Sequence, residues 1–394
     1  MPTLYFNNNS RYADLPLHYG SVPAWLAQRM SKLGGAIIEA IILDYGKSAV
    51  LSRFSDPKWF QAFGCVLGMD WHSSGITTSV MGAMKKAINP KFNDLGIYIC
   101  GGKGKHSRKT PEELLSLADK TGLNGDELVY ASKLSAKIDN TAIQDGFQLY
   151  LHSFIVSDEG EWAVVQQGMN DANGMARRYH WHSLQLQSYI NDPHAFIYGK
   201  NQGVILNLTD SKAASARDQM VEIVKENAAT AITRIEKLIM PAHHDVRAKD
   251  VNLKRLGALL ALAYESNPEN FESLLMLSGV GPRTIQSLAL VSEIVHGTET
   301  RFTDPARFSF AHGGKDGHPF PVPTKVYDET IEILKQSVEK AKLGDNDKKE
   351  AIKNLSIAAQ SMEKDFIPDE NQFEKFVARE RAESYKFGGR TVKS

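Results

Sequence analysis

FQLYLHSFIV at residues 147–156, EWAVVQQG at 161–168 and RRYHWHS at 177–183 follow one another in the middle of the chain. All three are rich in aromatic and β-branched residues, and Asp158-Glu159-Gly160 supplies a turn between the first two. HAFIYG at 194–199 and GVILNLT at 203–209 continue the texture, divided by Asn201-Gln202-Gly203. Successive strand-like runs with turn residues between them predict an antiparallel meander.

The flanks have a different period. From Ser21 to Gly46, Leu26, Met30, Leu33, Ile37 and Ile41 recur at spacings of three and four, the apolar face of a helix. Ser55-Asp56-Pro57 provides a cap and a first-turn proline ahead of Trp59, Phe60, Phe63 and Val66. LGIYICGG at 95–102 reads as a strand with Ile97 and Ile99 on one face, and it runs into the glycine-rich basic loop GGKGKHSRK before a helix start at Thr110-Pro111-Glu112-Glu113. Helical periodicity returns after Asp210 and persists to a polar, basic C-terminus. The expected fold class is therefore α+β, with a mixed domain at 1–209 that holds the meander, an all-α domain at 210–323, and C-terminal helices with a basic tail at 324–394.

Composition limits the function. In 394 residues, 46 Lys and Arg balance 46 Asp and Glu, so any nucleic-acid contact has to come from local patches. Cys65 and Cys100 lack metal-ligand spacing, and no stretch reads as a signal peptide or membrane span, which suits a cytoplasmic protein. The charged helical tail is compatible with a homodimer.

LSGVGPRTIQSLALV at 277–291 joins two helical patterns through Gly279-Val280-Gly281. Glycine at both ends of the tripeptide permits positive φ and close approach of a partner, and the bared amides at the next helix start suit an oxyanion. Pro282 fits the first turn, while Arg283 and Thr284 add a cation and a hydroxyl. This segment resembles the helix-hairpin-helix motif of DNA repair and recombination proteins, which implies a sequence-independent grip on the DNA backbone. Glycosylases of that class place an aspartate at a fixed interval after the hairpin and, where they cleave the strand, a lysine inside it. Here Arg283 occupies the lysine position and Arg301 the aspartate position, with Asp304 three residues further on, so a base-excision glycosylase using Asp304 is an alternative.

A wider resemblance rests on DWHSSG, YICGGKGKHSRKTPEE, SAKIDNTAIQDGFQLYLHSFI, WAVVQQGMN, RRYHW and FAHGGKDGHPFPVP. Together these look like an archaeal and bacterial family named only as domain of unknown function 763. That likeness implies a cytoplasmic, DNA-processing protein with a helix-hairpin-helix region.

The candidate chemistry comes from acids and imidazoles at a helix break, in the segment before the first strand of the meander and on that strand. Asp70 and His72 lie in DWHSSG, Asp139 and Asp145 in SAKIDNTAIQDG, and His152 on the strand after it. Such donors can hold Mg²⁺ or Mn²⁺ and polarise a phosphodiester, so Asp70, His72, Asp145 and His152 are the expected metal ligands of a divalent-metal-dependent DNA nuclease, with Asp139 a further catalytic candidate. Gln166 or Gln167 could fill the middle place of a restriction-type nuclease site, although Gly168 and Met169 stand where its lysine would be. His180 and His182 share a strand face, a spacing that also suits a metal. Lys103, Lys105, Arg108 and Lys315 are expected to extend the phosphate contacts of Gly279, Gly281, Arg283 and Thr284. A non-catalytic DNA-binding repair scaffold is the remaining alternative.

Overall fold

A computed structural model of the chain describes residues 15–16, 22–69, 74–226, 253–306 and 324–363. The strand-like middle folds as the expected antiparallel meander except at 203–209, where Leu206–Asn207 pairs outside the main sheet. β4 (Gln148–Ser157), β5 (Trp162–Asn170) and β6 (Met175–His182) form an antiparallel meander. β2 (Ile97–Lys103) adds to the outer edge of β4, while β1 (Leu15–Pro16) and β7 (Phe196–Tyr198) share the far edge of β6. A two-stranded ladder of β3 (Ile143–Gln144) and β8 (Leu206–Asn207) lies beside this sheet.

Along β5 every residue from Trp162 to Gly168 is buried, because helices cover both faces of the sheet. Ile97, Ile99, Ile155, Ala163 and Val165 point to one face. They pack against α1 (Ala24–Tyr45), α2 (Lys47–Ser55), α3 (Pro57–Val66) and α4 (Gly75–Ile88), with Leu334, Val338, Ala351 and Leu355 of the C-terminal helices closing the same core. Cys100, Phe154, Val156, Trp162, Val164 and Trp181 point to the other face. There the core is completed by α6 (Thr110–Thr121) and α7 (Gly125–Lys137), and by helices from beyond the sheet: α8 (Ala214–Lys225), α9 (Leu253–Ser266), α10 (Phe271–Met276) and α11 (Pro282–His296). The four-residue α5 (Phe92–Leu95) precedes β2, and α12 (Thr324–Lys340) and α13 (Asp345–Glu363) end the described chain. The result is a helix–sheet–helix sandwich in the mixed α+β class.

Local chemistry sets the boundaries. Asp56 caps α3 by accepting from the amides of Lys58 at 2.7 Å and Trp59 at 3.3 Å, with Pro57 in the first turn as the sequence implies. The exposed side of edge strand β2 is blocked by side chains. Asn89 both donates to the Ile99 carbonyl and accepts from its amide at 2.9 Å, Glu113 accepts from the Gly101 amide at 2.7 Å, and Lys85 donates to the Gly101 carbonyl at 2.9 Å. Gly101 itself has φ +82°, and a β-carbon there would lie 2.3 Å from the His152 carbonyl oxygen, so the strand can meet β4 only with glycine at this point. No helix among the described residues is long and apolar enough to cross a membrane.

Candidate functional site

The glycine turn at 277–281 connects α10 to α11. Asn270 starts α10 with a capping box, and Leu277 leaves it in an extended conformation. Gly279 then takes φ +85°, which strongly favours glycine. Val280 turns inward and is buried at 3% exposure, while Ser278 and Gly279 remain at the surface. Gly281 is the extended residue ahead of α11, followed by Pro282 at the first helical position. The amides of Arg283 and Thr284 belong to the helix's first turn and find no acceptor among the described residues. Arg283 is exposed and Thr284 is buried beneath it.

The turn is fastened to the rest of the molecule from outside its own helices. Lys137, at the end of α7, donates to the Val280 carbonyl at 2.7 Å, and Gln144 donates to the Pro282 carbonyl at 2.8 Å. Burial lowers the Lys137 pKa, yet the ammonium still meets a carbonyl dipole rather than a carboxylate. Gly281 differs from its neighbours in what it needs. Its φ is −146° and nothing lies within 4 Å of where a β-carbon would stand, so neither backbone nor packing demands glycine at that position.

The basic loop after β2 is a 3₁₀ turn, Gly104–Lys109, with Lys103, Lys105 and Arg108 exposed. Lys103 lies over the Tyr150 ring at 5.8 Å, and it pairs in register with Leu151 near the start of β4. Gln144, which touches the hairpin, lies four residues before β4 begins. Basic loop and hairpin thus lie toward the same end of the sheet. Lys315 falls outside the described residues, as do Asp70 and His72.

The described candidate acids and imidazoles sit inside the sandwich, and all but His182, whose two buried ring nitrogens have no hydrogen bond, are already engaged. α7 passes into a π-helical turn, Ile138–Ala142, that carries Asp139 into the core. Asp139 accepts from Gln166 Nε2 at 2.6 Å and Trp181 Nε1 at 3.0 Å, and its other oxygen pairs with His194. With Gln166 Nε2 spent on Asp139, its Oε1 accepts from His152 Nδ1 at 2.9 Å, which leaves His152 Nε2 to accept from the Ser132 hydroxyl at 2.8 Å. Burial holds His152 neutral, with its pKa lowered to about 4. A serine proton aimed at a neutral imidazole is the geometry of a nucleophile and its base. At 3% and 6% exposure, however, Ser132 and His152 face core rather than solvent.

Asp145 forms a second centre. It accepts from Arg177 Nη1 at 2.8 Å, from the Tyr179 hydroxyl at 2.6 Å and from the Phe147 amide at 3.0 Å. Burial raises its pKa and Arg177 opposes that shift. Arg177 also forks onto Asp304, at 3.0 and 2.5 Å, and Asp304 further accepts from the amides of Gln202 at 2.6 Å and Ala306 at 2.8 Å. Asp304, the acid of the glycosylase alternative, is thus a buried clamp between β6 and the segment after α11.

On the opposite face Arg178 donates to His180 Nε2 at 2.8 Å, to Gln61 at 3.1 Å and to Thr77 at 3.2 Å. His180 in turn bonds the Phe54 carbonyl through Nδ1 at 2.8 Å. His180 and His182 do share a face, but the first is committed to Arg178 and the second lies beyond it among buried residues, so the pair does not converge on one point. Gln167 joins Tyr150, Thr77 and the Ser74 carbonyl, and is not part of an acid–glutamine–lysine row.

Asp145 and His152 share no hydrogen-bond partner, and no three His, Cys, Asp or Glu side chains come together as a ligand set among the described residues. With both imidazole nitrogens engaged and the Asp145 carboxylate held by an arginine, these donors do not fit a resident Mg²⁺ or Mn²⁺. Ser132, Arg177, Tyr179, Trp181 and His194 were not among the expected site residues. The available signal was Arg177-Arg178 on a strand, where successive side chains point to opposite faces. With both faces covered, each guanidinium needs its own buried partners.

Comparison with curated proteins and with solved structures finds no match. The family model described as a protein of unknown function, DUF763, matches residues 11–322, and the chain belongs to that family.

Proposed function

We infer that the protein binds the sugar–phosphate backbone of DNA through the turn between α10 and α11, as the handle of a DNA-processing or repair protein. The observation that carries this reading is Gly281. Its own fold leaves it free to be any residue, yet a side chain there would stand between an incoming phosphate and the first-turn amides of α11. Exposed Arg283, with Lys103, Lys105 and Arg108 toward the same end of the sheet, supplies cations that fix position without reading sequence.

The test is fluorescence anisotropy on two duplexes of unrelated sequence. Gly281→Val is expected to weaken both alike while leaving the thermal transition in place, and Arg283→Gln to reduce the slope of log K against log salt by about 0.9 for one neutralised phosphate. Unchanged affinity in folded Gly281→Val protein would end the reading. Strand nicking in Mn²⁺ that EDTA abolishes would add the nuclease activity, and release of free bases the glycosylase.

A further inference from the structure

A second cationic feature lies on the other side of the sheet, remote in sequence from the hairpin. A groove of about 740 Å³ runs along α1 from Ala24 to Glu39, with Lys86 and Ala87 of the last turn of α4, Lys91, Lys342 and Leu343 lining the rest. Its floor is low because the two helices nearly touch: a β-carbon on Gly35 would stand 3.0 Å from that of Ala87. Lys32, Lys86, Lys91 and Lys342 line it, contributed by α1, the last turn of α4, the 3₁₀ turn after α4, and the residues after α12. One carboxylate, Glu39, offsets them by pairing with Lys91 at 3.1 Å. Lys32, Lys86 and Lys342 have no ion pair among the described residues. The chain as a whole is neutral, so three unpaired cations on one groove are a local departure that calls for an anion.

The shape narrows the anion. Fifteen helical steps from Ala24 to Glu39 make the groove roughly 22 Å long, enough for several successive phosphates of one strand and far longer than a nucleotide's triphosphate. The floor of small residues presents apolar surface suited to sugars, with little to read a base edge. The geometry points to this α1–α4 groove as a second docking track for nucleic acid, taking one sugar–phosphate strand along its length. This rests on the reading of the protein as a DNA binder and adds a surface that the hairpin does not supply.

Lysine acetylation footprinting on the full chain, read by mass spectrometry, tests it. A 30-base-pair duplex is expected to protect Lys32, Lys86 and Lys342, and to protect them still in Gly281→Val. In a salt titration, Lys32→Gln, Lys86→Gln and Lys342→Gln combined should flatten the slope of log K against log salt by about 2.7, or 0.9 for each phosphate no longer neutralised. Protection of Lys103 and Lys105 with equal acetylation of the groove lysines would overturn the groove and leave the hairpin standing. Protection of the groove lysines with unaltered binding by Gly281→Val would keep the groove and remove the hairpin. Equal protection by tripolyphosphate or by polyglutamate at matched charge would overturn the assignment to a sugar–phosphate strand, and no protection anywhere would overturn both.

Discussion

Two buried side chains show how far a residue's type is from its role. Asp304 is an acid in the right part of the sequence for chemistry, yet both oxygens are taken by Arg177 and two backbone amides. Asp304→Asn should cost about 3–5 kcal/mol in urea unfolding, because it leaves a fully buried guanidinium short of a counter-charge. A catalytic Asp304 would give the opposite result, lost activity with stability kept. His152 makes a pH-dependent contribution. Its folded pKa is depressed to about 4 from 6.5, so the unfolded state binds the extra proton first as acid is added. Stability from this group is full above about pH 6.5 and is lost as pH falls toward 4, by roughly 3 kcal/mol in all. His152→Gln puts a non-titrating amide at the Nε2 position facing Ser132 and should flatten that part of the profile when unfolding free energy is measured between pH 4 and 7; an unchanged slope would mean the imidazole already shares its environment with water.

At the scale of elements, β2 and its crossing with β4 show how little slack the sheet has. Gly101→Ala pushes a β-carbon against the His152 carbonyl at positive φ and should destabilise by at least about 2 kcal/mol, seen as a lowered midpoint in thermal denaturation. The strands themselves were legible in the sequence, since aromatic and β-branched runs separated by turns such as Asp158-Glu159-Gly160 need only local rules. The helix at Asp56-Pro57 was legible for the same reason. What the sequence hid was the partner of each buried polar group. Arg177 meets Asp145 across 32 residues and Asp304 across 127, and no spacing rule reaches that far. The acids of SAKIDNTAIQDG therefore looked like free ligands, when a π-helical turn had delivered Asp139 to Gln166 and Trp181. The hairpin was legible as a turn, but its anchor, Lys137 on the Val280 carbonyl, was not.

Over the whole molecule, the helices after the sheet are part of the sheet's own core. Met220, Leu260, Leu275, Ile285 and Leu288 bury the same face as Phe154, Trp162, Val164 and Trp181. Lys137, Gln144 and the Arg177–Asp304 pair add polar ties across that junction. On the proposed reading, a phosphate at Gly281 would be held by an extension of the sheet's own core, which suits a clamp that positions DNA against another surface. The consequence is testable by division of the chain. A fragment of residues 1–209 lacks α8 to α11, and it would expose two tryptophans and the apolar residues around them while Arg177 kept Asp145 as its one carboxylate partner. It is expected to bind ANS and to lose a cooperative urea transition, whereas the full chain should show coincident transitions by tryptophan fluorescence and far-ultraviolet circular dichroism. A sharp, ANS-silent transition in the fragment would instead make residues 1–209 a folding unit in its own right, with the hairpin helices a separate module laid upon it.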